Sequence, residues 1–142
     1  MIIAVDKGTT YTKTSEQISF KSTIREHRAD EIEFCQDKLI VQYNGKTYVI
    51  GEKGKTNTDL FKSVHEETKL MILLAIALSY PYKTNIRTHL VTGLPIGRYG
   101  YEREDMNRLL QYTKNDIIVD DITYTINIGR VETFPEGASS FY

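Results

Sequence analysis

The chain has 142 residues, a formal net charge of -1, 40% hydrophobic residues and one cysteine. That length and apolar content exclude a disordered or fibrous chain and support one domain with a core, burying about 68–70% of its unfolded surface. The near-neutral charge excludes a global basic field for non-specific binding to nucleic acid.

Ile2-Ile3-Ala4-Val5 is a short apolar run that reads as a buried strand. It runs into Asp6-Lys7-Gly8-Thr9-Thr10, where the glycine permits a tight reversal, and a second strand starts at Tyr11-Thr12-Lys13. The turn offers backbone N–H groups and hydroxyls, with a carboxylate at its mouth and an ammonium beyond it. Phosphate binding uses that mixture: donors for the oxygens, a lysine as point charge, and an acid that holds Mg²⁺ through its waters. On the local pattern alone, a plain hairpin turn and a phosphate site are both open.

Ile18 to Ile24 alternates apolar and polar side chains and reads as a third strand, and the charged stretch from Arg25 to Glu33 reads as a solvated loop. A second hairpin follows, Leu39–Tyr43 and Lys46–Ile50 around Asn44-Gly45, because both turn residues tolerate positive φ. A polar loop then runs from Gly51 to near Asp59. Ser63-Val64-His65-Glu66 has the form of a capping box and opens a helix from Ser63 to Tyr80, ended by Pro81. Its apolar run from Leu70 to Leu78 implies burial on more than one side, in a central core helix without chemistry.

Arg87 to Thr92 reads as a strand, Gly93 to Gly97 as a rigid irregular turn, and Glu102 to Tyr112 as a second helix with Met106, Leu109 and Leu110 on one face. Asp116–Asp120 and Ile122–Ile128 form a hairpin around Asp120-Asp121, and Arg130 to Phe134 is a last short strand before Pro135-Glu136-Gly137. Strand–helix–strand order after an antiparallel opening predicts an α/β domain with a mixed sheet and helices packed on it.

Cys35 has no partner for an internal disulfide, and His27, His65 and His89 stand at no zinc spacing. Asp6 and Lys7 interrupt any signal-peptide run, and the Leu70–Leu78 stretch is shorter than the ~20 residues of a membrane span. These features point to a soluble protein of the cytoplasm with no membrane partner.

Three motifs, in this order, resemble the N-terminal domain of actin-like ATPases, most closely the ParM-type plasmid-segregation proteins. Asp6-Lys7-Gly8-Thr9-Thr10-Tyr11-Thr12-Lys13 is similar to the family's first phosphate loop, Asp-x-Gly-x-x-x-x-Lys. Thr92-Gly93-Leu94-Pro95-Ile96 resembles the Leu-Pro segment that precedes the second helix, and Val131 to Ala138 resembles the strand leading to the Pro-Glu catalytic element. The resemblance implies an actin-like (ribonuclease H-like) domain with a mixed five-stranded sheet flanked by helices, and a small inserted β-hairpin subdomain around 34–60. Residues 1–142 would form the first half of a nucleotide cleft, with the second domain absent from this chain.

The resemblance also implies roles. Asp6 would hold Mg²⁺ of ATP or GTP through water, Gly8, Thr9 and Thr10 would cradle phosphate through their N–H groups, and Lys13 would face the same oxygens. Glu136 would be catalytic, orienting the water that attacks the γ-phosphate, where the residue pattern alone reads as a first-turn helix acid. Lys7 departs from the neutral or acidic residue of many relatives and reads as solvated. The implied function is a filament-forming ATPase of plasmid DNA segregation, active as the full-length protein and inactive as this domain alone. It would self-associate and reach DNA through an adaptor, without touching nucleic acid itself. A sugar kinase of the same superfamily and a non-enzymatic half-actin binding module are the alternatives. Ending inside the segment that Pro135 begins, without a capping glycine, the chain reads as a fragment before a natural half-molecule.

Overall fold

The computed structural model of the chain describes residues 1–8, 10–27, 39–52 and 64–136. β1 (Ile2–Lys7) turns Ile3 and Val5 inward and pairs antiparallel with β2 (Tyr11–Thr14), which pairs in turn with β3 (Ser19–Lys21). β4 (Ile24–Glu26) pairs with β6 (Lys46–Ile50), and β6 with β5 (Leu39–Tyr43). Helix α1 (Val64–Ser79) leads to the long β7 (Asn85–Pro95), α2 (Ile96–Leu110), β8 (Thr113–Val119) and β9 (Ile122–Glu136). The strands form one sheet in the order β3-β2-β1-β7-β9-β8-β5-β6-β4. Within it β1, β7 and β9 run parallel, and the remaining pairs are antiparallel.

β3 and β4 stand at opposite ends of this order, yet only Ser22 and Thr23 separate them in the chain. A link that short spans at most about 11 Å, so the two ends of the sheet must converge. The Ser22 N–H donates to the Thr10 carbonyl (2.8 Å) and the Gly51 N–H to the Thr23 carbonyl (3.0 Å), tying the link to both ends. The sheet is therefore curled, and α1 lies in its hollow against β1, β2, β8, β9 and α2. Every residue from Leu70 to Ala77 is fully buried there, in one core with Ile24, Val41 and Ile50 of the far strands. An apolar run without a polar face is what such an enclosed helix requires.

Several expectations are corrected. Among the described residues the sheet has nine strands, not five, because β5 pairs with β8 and β6 with β4, which adds the hairpin's ladder to the central one. Of the small subdomain expected around 34–60, residues 39–52 are described and carry that hairpin. Ile18–Ile24 divides into β3 and β4 at the convergence point. Arg25 belongs to β4 and not to a loop, opposite Val49 and in an ion pair with Glu52 (2.7 Å). Gly93 to Pro95 continue β7 in place of a turn, since pairing with β9 holds through Pro95↔Glu136, and α2 starts at Ile96, before Glu102. Arg130–Phe134 continues β9 past a bulge in place of a separate strand. The capping residue Ser63, the solvated loop beyond His27, Cys35 and the segment after Glu136 lie outside the described residues.

Both predicted tight turns form. Asn44 and Gly45 have φ of 51° and 78°, and Asp120 and Asp121 have 47° and 69°, the left-handed pairs of a two-residue hairpin turn. Among the described residues no helix is long and apolar enough to cross a membrane.

Candidate functional site

The carboxyl ends of β1, β7 and β9 reach one edge of the sheet, where their continuations diverge: β1 reverses into β2, β7 enters α2, and β9 ends at Glu136. Ligand sites of parallel sheets form outside such ends. Asp6 and Lys13 are direct partners in the β1–β2 ladder. Both are exposed, on the face away from Ile3, Val5 and Thr12, and neither side chain has a hydrogen bond or ion pair with a described residue. Cross-strand partners hold their Cβ atoms about 4.5–5.5 Å apart, so a carboxylate and an ammonium are presented side by side.

The hairpin that presents them is braced from below. Buried Thr12 shares a hydroxyl–hydroxyl hydrogen bond with Ser22 (2.8 Å), and the Ser79 hydroxyl of α1 donates to Thr14 Oγ1 (3.0 Å). The Ser15 N–H donates to the Ala4 carbonyl (2.9 Å), and the Ala4 N–H donates back to Ser15 Oγ (3.1 Å). At the turn, the Gly8 N–H donates to the Tyr11 carbonyl (2.9 Å). A Cβ on Gly8 would stand 2.7 Å from that oxygen, so the close approach requires glycine. The Gly8 amide is thus engaged within the hairpin. Thr10 is exposed at the loop's exit, and Thr9 lies outside the described residues.

On β9 the register places Thr133 beside Thr92, Phe134 beside Gly93 and Glu136 beside Pro95. Because Val5 pairs with Thr92, Asp6 is one step beyond the Thr92–Thr133 row, level with Gly93 and Phe134. Glu136 holds the last position of β9, and its side chain lies outside the described residues. The sequence reading missed Tyr99, whose hydroxyl donates to the Thr133 carbonyl (3.2 Å) and braces the strand that ends at Glu136. Arg103 lies over its ring at 5.6 Å, and the spacing of Tyr99 and Arg103, one helical turn, was the available signal.

Among the described residues, no three His, Cys, Asp or Glu side chains group into a metal site. A hydrated Mg²⁺, which keeps most of its waters and needs one or two carboxylates, fits Asp6.

Residues 4–138 match the family of actin like proteins N terminal domain. Among solved structures the chain is similar to the Alp12 filament, with 20% identity, a TM-score of 0.74, and 99% of this chain and 48% of that one covered. It is similar to the apo psk41 ParM protein at 18% identity and a TM-score of 0.73, covering 95% of this chain and 49% of that one. The AlfA filament bound to AMPPNP shares 18% identity with a TM-score of 0.73, over 99% of this chain and 56% of that one. At such identities the likeness is one of fold, and the chain spans about half the length of these proteins. No curated protein matches it significantly. With a curled mixed sheet, a glycine hairpin at the edge of its parallel strands and a family match over nearly its whole length, the chain belongs to the actin-like proteins, as their N-terminal domain.

Proposed function

We propose that this chain is one wall of the nucleotide cleft of a ParM-type, filament-forming ATPase of plasmid segregation. The observation that carries the reading is the pair Asp6 and Lys13, exposed and unpartnered among the described residues at the edge where β9 ends in Glu136. A carboxylate and an ammonium held side by side without pairing to each other suit a ligand with both a hydrated cation and phosphate oxygens.

In this reading Lys13 binds phosphate oxygens, Asp6 accepts from the waters of Mg²⁺, and Thr9 and Thr10 supply amide and hydroxyl donors. Gly8 shapes the loop by its close approach to Tyr11, and its own amide stays in the hairpin. Glu136 is the carboxylate that orients a water molecule and takes its proton. The nucleotide, ATP or GTP, supplies the terminal phosphoryl group. Support for a nucleotide comes from AlfA, solved as a filament bound to AMPPNP, and support for polymers from the Alp12 filament. Turnover belongs to a protein that carries both halves of the cleft, working in the cytoplasm and reaching DNA through a bound adaptor.

The test uses full-length protein. Asp6→Ala and Lys13→Ala should each abolish nucleotide-dependent growth in light scattering while leaving the melting temperature unchanged, since both side chains are exposed. Growth at the parental rate in both variants would refute the phosphate-loop reading. Phosphoryl transfer to a sugar would move the protein to the kinase class.

A further inference from the structure

Toward the amino ends of the same strands lies a second polar site, built around the bulge in β9. Opposite Thr88 to Leu90 the β7–β9 register shifts, and the Arg130 N–H donates to His89 Nδ1 at 2.8 Å instead of to the ladder. An Nδ1 that accepts carries no proton, so the neutral ring has its hydrogen on Nε2. The ring's place is set on two further sides. The His89 backbone N–H donates to the Met1 carbonyl (2.9 Å), and Gly129 lacks the Cβ that would stand 2.8 Å from Nδ1 and 2.9 Å from Cε1. Nε2–H is left as an oriented donor with no partner among the described residues.

His89 is exposed and lines an open depression of about 450 Å³ together with Met1, Arg87, Thr88 and Asn127. That volume is within the range of small-ligand sites. Arg87 is the ladder partner of Asn127, is exposed, and has no ion pair with a described residue. The Asn127 amide donates to Asn85 Oδ1 (3.3 Å) and keeps a second hydrogen. None of the described lining residues is acidic. The site therefore has a guanidinium, an oriented imidazole N–H and an amide, with no acidic side chain among its described lining residues.

We propose that this depression binds a compact oxyanion, a phosphate or carboxylate group, with the Arg87 guanidinium and the His89 Nε2–H as its donors. It is separate from the nucleotide edge: five residues of β7 lie between His89 and Pro95, roughly 20 Å of strand. It does not depend on the ATPase reading.

The experiment is an NMR titration in a Lys13→Ala background, with inorganic phosphate in one arm and citrate in the other, at ionic strength held constant with sodium chloride. The His89 ring and Arg87 side-chain signals should shift saturably in at least one arm, and the arm that saturates tells phosphate from carboxylate. Arg87→Gln, at an exposed position, should fold normally and weaken binding by about tenfold or more. Linear shifts without saturation in both arms, or saturation unchanged in Arg87→Gln, would overturn the proposal.

Discussion

Leu73→Ala tests the enclosure of α1. Leu73 has 0% exposure, and so do Leu70, Met71, Ile72, Leu74 and Ile76, positions that step around the whole helix circumference. The substitution deletes three carbons; at about 0.8 kcal/mol per buried group the transfer cost is roughly 2.4 kcal/mol. A residual cavity, at about 24 cal/mol per Å³, raises the total to about 3–4 kcal/mol, and alanine's helix propensity recovers only a few tenths. For a domain near this size, about 2–4 °C per kcal/mol gives a fall in Tm of roughly 10 °C. Urea unfolding followed by circular dichroism, for single alanine variants at the six positions, measures the effect. A helix packed on one side would give losses with a 3.6-residue period; an enclosed helix gives large losses at every position. Two adjacent variants losing less than about 1 kcal/mol each, below the usual range for buried leucine, would refute the enclosure.

Glu136→Ala in full-length protein should leave ATP affinity nearly unchanged and slow phosphate release by about 10²–10⁴-fold, with filaments that outlive the parent's. Parental release rates would make Glu136 a strand-end acid only. Gly8→Ala must push the Tyr11 carbonyl aside and should cost about 1–3 kcal/mol, read as a lower urea midpoint; an unchanged midpoint would show that the turn does not need the close approach. Burial pushes the Tyr43, Tyr48 and Tyr80 hydroxyls above their ordinary 10.0, so their stabilisation is complete below pH 10.0 and is lost as pH rises through the folded values. Burial moves Lys69 below 10.5, which acts in the opposite direction over that window, but as one group against three. The urea midpoint should therefore fall from about pH 9 to 11, and a flat or rising profile would contradict these shifts.

Local chemistry by itself determined the pieces that a few neighbouring residues decide. Asn44-Gly45 and Asp120-Asp121 announced their turns because such residues tolerate positive φ, and both pairs adopt it. Gly8 between two short strands marked the first hairpin, and the spacing from Asp6 to Lys13 marked the candidate phosphate edge before any fold was known. The run from Leu70 to Leu78 showed a helix buried on more than one side but not what covers it. Its cover depends on the convergence of β3 and β4, and thus on strand pairing across the whole chain. The extension of β7 through Gly93–Pro95 was hidden for the same reason: glycine and proline weaken a strand locally, and only the ladder with β9 offsets that. The His89 site was least legible, because the Arg130 amide that orients the ring lies 41 residues away in sequence. Turn and strand preferences are energies of single residues and their neighbours. Register, curl and bulge arise only when distant strands exchange hydrogen bonds, so tertiary structure alone decided them.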